Sequence, residues 1–168
     1  MENLWTSKGG HVVEVTILDL PAFKVRGRKW EGRYEEVPVL KEVIKKVENE
    51  KEEINPVDPD FQWGLSVHTV ENGFVHFSGF EVDPGSSQEA YEEMSVPPHT
   101  YLNVHHPKGR DIGETYAAIY QWFREGNGEP YLEPDTEYFD GLPLKFEKYP
   151  VDRDFDDPHF DIYIPIKA

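Results

Sequence analysis

Twice along this chain an alternating apolar run gives way to an amphipathic stretch and then to further strand-like text. That double rhythm constrains the fold more than any other feature. His11 to Leu18 alternates and is rich in Val and Ile, and beyond Pro21 a second run, Phe23 to Lys29, continues the strand or begins another. From about Glu35 to Glu50, Val37, Leu40, Ile44 and Val47 recur at spacings of three and four, with Lys and Glu on the other face. This period predicts a helix with one buried stripe. Residues 51–60 are charged and then Pro-containing, which predicts a loop. Phe61 to Val70 and Phe74 to Val82 predict two strands, joined through Glu71-Asn72-Gly73 by an Asn-Gly hairpin signal.

Residues 83–98 hold Pro84-Gly85-Ser86-Ser87 and Pro97-Pro98 and are expected to join two halves. The rhythm then restarts. His99 to His106 alternates. Asp111, with Glu114 three residues on, predicts a capping box at the start of a helix reaching about Glu125. Ile112, Tyr116, Ile119 and Phe123 form the apolar stripe of that helix, and Gly126 and Gly128 supply its stop. Thr136 to Phe139 predicts a short strand. Phe160, Ile162, Ile164 and Ile166 alternate with Asp161, Tyr163 and Pro165 in a final strand. The expectation is an α+β fold made of tandem βαββ units, with a mainly antiparallel sheet and helices on one face. The whole chain, 1–168, would form one domain of two pseudo-repeats, about 11–82 and 99–167.

Charge and composition exclude several functions. The formal net charge is −16, from 33 acidic and 17 basic residues. Such a field repels phosphate backbones, so direct DNA binding is not expected. With no cysteine, disulfides and thiolate metal sites are excluded. No apolar run has the length of a signal peptide or membrane span, and the expected location is cytoplasmic. Aromatic residues make up 14% of the chain, enough to line a pocket. His105-His106 does not suit a metal, because neighbouring strand residues point to opposite faces. The acidic run Asp152-Arg153-Asp154-Phe155-Asp156-Asp157 lacks the glycine and terminal glutamate of a calcium loop. Neither a metal nor a cofactor is therefore expected. Serine-elbow and P-loop patterns are absent as well.

Six stretches in order resemble the GyrI-like family, the effector-binding domain of certain bacterial transcription activators. They are Leu18-Asp19-Leu20-Pro21-Ala22-Phe23-Lys24-Val25, Phe61-Gln62-Trp63-Gly64-Leu65, the run from His99 to Gly109, the run from Thr115 to Phe123, Glu137-Tyr138-Phe139, and Asp161-Ile162-Tyr163-Ile164-Pro165-Ile166. The glutamate-bearing strand of that family more often reads Phe-Glu-x-Tyr, whereas here the corresponding stretch is taken as Thr136-Glu137-Tyr138-Phe139. The resemblance implies a saddle-like sheet with a ligand cleft between the halves, in which a buried glutamate faces aromatic walls. It also implies a stand-alone form, since the two halves leave no room for a helix-turn-helix. Some stand-alone members resemble hydrolases of cyclopropane-containing genotoxins.

On that basis Glu137 is the expected ligand-facing carboxylate. A buried carboxylate needs a cation or donors, and an aromatic cation would supply one with cation–π attraction added. In a hydrolase Glu137 would instead act with Tyr163 in acid–base chemistry. Tyr101, Asn103 and His105 share one strand face opposite Leu102 and Val104, so they would look into the cleft if the latter pair packs on helices. Trp63, Trp122, Phe139 and Tyr163 complete the expected walls. The expected partner is a small lipophilic or cationic molecule. Hydrolysis, or a protein-interaction role such as gyrase modulation by the acidic surface, stands as an alternative.

Overall fold

The computed structural model describes residues 3–6, 10, 12–131 and 143–167. Nine strands and three helices follow in the order β1 (Asn3–Thr6), β2 (Val12–Leu20), β3 (Phe23–Arg33), α1 (Val37–Asn49), α2 (Lys51–Ile54), β4 (Phe61–Val70), β5 (Gly73–Val82), β6 (Glu92–Val96), β7 (His99–His106), α3 (Ile112–Arg124), β8 (Lys145–Pro150) and β9 (Phe160–Pro165). All strands join one antiparallel sheet in the order β1-β2-β7-β9-β8-β4-β5-β3-β6. Apart from β1, this order is symmetric about the central β8–β4 pair. β9 matches β5, β7 matches β3, and β2 matches β6. β2 precedes the link to β3 but pairs with β7, and β6 precedes the link to β7 but pairs with β3.

Two short links bend this sheet. Only Pro21 and Ala22 separate β2 from β3, yet six strand spacings lie between them in the sheet order. A flat sheet would place them about 29 Å apart at roughly 4.8 Å per strand, whereas a two-residue link spans at most about 11 Å. Pro97 and Pro98 impose the same limit between β6 and β7. The sheet therefore curls until its ends approach, and one face becomes an enclosed core. Phe23, Val25, Trp63, Leu65, Val75, Phe77, Tyr101 and Phe146 pack there without any helix.

Directly paired antiparallel residues share a face. Leu102 pairs with Ile164, Glu147 with Ile162, and Gly64 with both Glu147 and Ser78, so all of these lie on the opposite, outer face. Both long helices cover that face. α3 lays Ala118, Ile119 and Trp122 on Leu102, Val104 and Ile162, while Val47 of α1 and Ile54 of α2 meet Phe80 and Val82. The α+β class, the antiparallel sheet, the saddle and the one-sided helices are as expected. No helix among the described residues is long and apolar enough to cross a membrane.

Several elements differ from the sequence reading. The stretch expected as a loop opens with the short helix α2, and the join at 83–98 carries β6. Arg26 accounts for both. Its buried guanidinium donates to the Ile54 carbonyl at 2.8 Å, to Ser86 Oγ at 2.9 Å and to Glu93 at 2.6 Å, tying α2, the join and β6 to β3. Asp111 stands at the N-cap of α3, but its side chain makes no capping hydrogen bond, so the expected capping box is not formed. The strand expected at Thr136–Phe139 lies outside the described residues. β1 and β8 were not anticipated.

Candidate ligand-binding site

β8 occupies the middle of the sheet and carries Lys145, Glu147 and Tyr149 on its helix-covered face. A carboxylate at the centre of a sheet meets little water, and the Glu147 side chain is 13% exposed. Its charge is compensated from three sides. The Tyr116 hydroxyl, reaching down from α3, donates to Oε2, and the Tyr149 hydroxyl donates to Oε1. Lys145 Nζ lies 3.4 Å from Oε2 and donates to the Tyr116 hydroxyl at 2.7 Å, with its charge 4.5 Å from the centre of the Tyr116 ring. Burial pushes the Glu147 carboxyl upward, but the Lys145 charge and the two tyrosine hydrogen bonds outweigh it and hold the group below its usual 4.5. Glu147 is thus ionised at neutral pH. The same contacts, after desolvation, drive the Tyr116 and Tyr149 hydroxyls well above 10, so both remain protonated donors.

Beside this cluster lies a cavity of about 670 Å³, within the range of roughly 300–1,000 Å³ usual for small-molecule sites. α3 supplies Tyr116, Tyr120, Phe123 and Arg124 to its wall. The sheet supplies Ser66, Thr69, Phe74, Lys145 and Ile164, and Tyr34 enters from the turn before α1. The periodicity of α3 explains its contribution. Residues 116, 120 and 123 fall on one stripe, while Ala118, Ile119 and Trp122 turn into the core.

The residues singled out in the sequence are spread over three places, and none of those described lines this cavity. Trp63 and Tyr101 sit in the enclosed core of the inner face, at 4% and 0% exposure, with Tyr163 stacked on Phe146 beside them. Desolvation raises the Tyr163 hydroxyl to about 12 and the Tyr101 hydroxyl further. Trp122 packs in the core beneath α3. Asn103 and His105 line a small polar cleft on the inner face with Glu14, Thr16 and Asp161, where His105 Nδ1 lies 3.1 Å from Asp161. His106 points the other way and meets Thr115 at 2.6 Å. Leu102 and Val104 do pack on a helix, but the large cavity opens on that same helical side. Glu137 and Phe139 lie outside the described residues.

Glu147, Tyr149, Tyr116 and Lys145 are not among the candidate site residues of the sequence reading. A signal was present: Phe146-Glu147-Lys148-Tyr149 matches the Phe-Glu-x-Tyr pattern without departure. β8 was hidden because it carries Lys145, Glu147 and Lys148 and offers no clean apolar alternation.

Solved structures share this fold. SAV2435, solved with tetraphenylphosphonium bound, superposes with a TM-score of 0.70 at 13% identity, over 92% of this chain and 94% of that one. EcmrR, solved in its complex with DNA, gives 0.62 at 19% identity, over 93% of this chain and 58% of that one. A transcription regulation protein of Staphylococcus aureus MU50 gives 0.59 at 13% identity, over 92% and 99%. No curated protein matches the chain. The family described as integron-associated effector binding protein matches residues 16–166, and with a GyrI-like effector-binding fold the chain belongs to this Cass2 family.

Proposed function

We propose that this protein binds a small aromatic molecule in the cavity between α3 and the centre of the sheet, with Lys145, Tyr116 and the underlying Glu147 as its polar floor. One observation carries the reading: an ionised, nearly buried carboxylate held by two tyrosines adjoins an aromatic-walled cavity of about 670 Å³. Clustered, strongly perturbed groups beside a concave apolar site are the physical signature of a candidate functional site. The tetraphenylphosphonium bound to a neighbour of the same fold supports a small-molecule role. Titration calorimetry with multi-ring aromatic compounds of each charge type tests it. Tyr120 lines the cavity at 63% exposure, so Tyr120→Ala removes binding surface without touching the core. The expected result is roughly micromolar binding by at least one compound, weakened about tenfold in Tyr120→Ala. Binding that ignores Tyr120→Ala would place the ligand elsewhere.

A second reading, hydrolysis of a strained electrophile, draws on the same contacts. Lys145 has an ammonium N–H beyond those directed at Tyr116 and Glu147 with which to polarise a carbonyl oxygen, and the Tyr116 hydroxyl, its own proton held by Glu147, would accept from and orient the attacking water. Incubation with a cyclopropane-containing alkylator decides it: loss of substrate at the buffer rate removes the reading.

A further inference from the structure

The small cleft on the inner face is chemically unlike the aromatic cavity, and strand register alone builds it. Glu14 of β2 stands directly opposite His105 of β7, and His105 stands directly opposite Asp161 of β9. Thr16 stands opposite Asn103 on the first two of these strands. Residues directly opposite in an antiparallel pair share a face, with Cβ atoms about 4.5–5.5 Å apart. The five side chains therefore surround one hollow of about 340 Å³.

The hydrogen bonds inside the cleft decide what remains for a ligand. His105 Nδ1 lies 3.1 Å from Asp161 Oδ1. An ionised carboxylate only accepts, so Nδ1 carries the proton and Nε2 of the neutral ring is left as an acceptor. Asn103 donates through Nδ2 to the Ile162 carbonyl at 3.3 Å and keeps its Oδ1 as an acceptor. Asp161 has a second oxygen, and Glu14 adds a carboxylate at the exposed rim. Against these acceptors stand two donors, the Thr16 hydroxyl and the second Nδ2 hydrogen of Asn103.

Charge in the cleft is unbalanced in the same sense. Among the described residues no lysine or arginine forms an ion pair with Glu14 or Asp161. Lys148 faces Asp161 across the β8–β9 pairing, but its ammonium lies over the rings of Phe61 and Trp63, at 4.5 and 5.2 Å from their centres. A metal ion does not suit the cleft, because no group of three His, Asp or Glu among the described residues is arranged to hold one. A quaternary cation has no N–H to give to the acceptors. A planar cation with several N–H groups supplies both charge and donors. Asn103 and Asp161 are diagonal neighbours on the sheet face, about 7–8 Å apart at the backbone, a gap that one such group can fill with an N–H to each side.

We propose that this cleft is a second binding site, separate from the aromatic cavity, for the amidinium or guanidinium group of a small molecule. Asp161 and Asn103 Oδ1 accept its N–H groups, with His105 Nε2 and the rim carboxylate of Glu14 beside them.

Three small probes isolate the chemistry: acetamidinium, its neutral isostere acetamide, and tetramethylammonium, which has charge but no N–H. Each is titrated at fixed ionic strength while the backbone amide signals of the protein are followed by NMR. Acetamidinium is expected to give saturable shifts at Glu14, Thr16, Asn103, His105 and Asp161, with a Kd of about a few millimolar for so small a ligand, and acetamide and tetramethylammonium are expected to give none there. Asp161→Asn should weaken acetamidinium at least about fivefold. Glu14→Gln, a change at an exposed position, should weaken it about threefold and keeps the proposal testable if Asp161→Asn does not fold. Acetamidinium shifts that stay linear, or that gather at Tyr120 and Phe123 of the cavity instead, overturn the proposal. So do equal shifts from tetramethylammonium or acetamide, and so does an affinity unchanged in both variants. None of these outcomes bears on aromatic ligands in the cavity beside α3, whose test is the Tyr120→Ala comparison.

Discussion

Gly64 faces Glu147 across the β4–β8 pairing, and a Cβ placed on it would stand 2.9 Å from Cε1 of His76. The flanking Trp63 and Leu65 turn into the inner core, so this glycine makes room on the outer face for the His76 and Tyr149 rings. Gly64→Ala therefore pushes a buried imidazole toward the Glu147 cluster. The expected loss is about 1–3 kcal/mol, as for overpacking, read as a lower urea midpoint with an unchanged denaturant slope. An unchanged midpoint would mean that His76 moves aside freely.

Glu147 links stability to acid. Its folded pKa lies below its ordinary 4.5, because Lys145 and two tyrosines hold the charged form against burial. A depressed carboxylate contributes stability that is complete above the unfolded value and disappears as pH falls through the folded one. Glu147→Gln keeps the shape but strands Lys145. We expect a loss of about 1–3 kcal/mol at pH 7, shrinking as pH falls below about 4.5, where the unfolded wild-type chain takes up the proton first and the folded carboxylate follows at lower pH. Urea titrations of both proteins at pH 7 and pH 3.5 check this. A gap that stays constant between those two values would show that Glu147 is not coupled to its partners in the way the distances indicate.

The strands and helices that pack apolar stripes were legible because periodicity reports burial directly. Val37, Leu40, Ile44 and Val47 gave α1, and Phe160, Ile162 and Ile164 gave β9. β8 was not, since its buried face is polar. Lys145, Glu147 and Tyr149 satisfy one another with Tyr116, a residue 31 positions away from Glu147. No local pattern encodes such a contact. The face of Tyr101 was read correctly as opposite to Leu102, but which face holds the cavity depends on how the sheet curls. That is set by the two-residue links at Pro21-Ala22 and Pro97-Pro98 together with a strand order that no single segment reveals.

His76 adds a second acid-sensitive group. Burial lowers its pKa from 6.5 to about 4, against the pull of the Glu147 charge, and Nε2 has no hydrogen-bond partner. The ring is neutral in the folded protein at pH 7. The unfolded chain takes up the proton first, so the stability held above pH 6.5 is lost as pH falls toward 4. The size is on the order of 3 kcal/mol, from about 1.4 kcal/mol per pH unit. His76→Asn, which has no proton to take up, should flatten the stability profile between these values. Chemical denaturation at half-unit intervals from pH 7 to pH 4 measures the slope. A profile as steep as the wild type's would assign the acid sensitivity to other groups.

Tyr116 and Tyr149 do the same electrostatic work from different positions, and this separates stability from binding. Each donates to one oxygen of Glu147. Only Tyr116 lines the cavity and receives the Lys145 hydrogen bond; Tyr149 packs against Phe160 and beneath Arg153 in the interior. Removing either hydroxyl leaves a buried acceptor short of one donor, so Tyr116→Phe and Tyr149→Phe should each cost about 1–2 kcal/mol of stability. Their effects on ligand affinity should diverge. Tyr116→Phe releases Lys145 from its hydroxyl partner at the cavity wall and changes affinity about tenfold, whereas Tyr149→Phe leaves the wall intact and changes it less than twofold. Calorimetric titration of both variants with one bound aromatic probe makes the comparison. Equal losses of affinity would mean that the ligand reaches past Tyr116 to the carboxylate itself, and a larger loss in Tyr149→Phe would move the binding site away from the cavity beside α3.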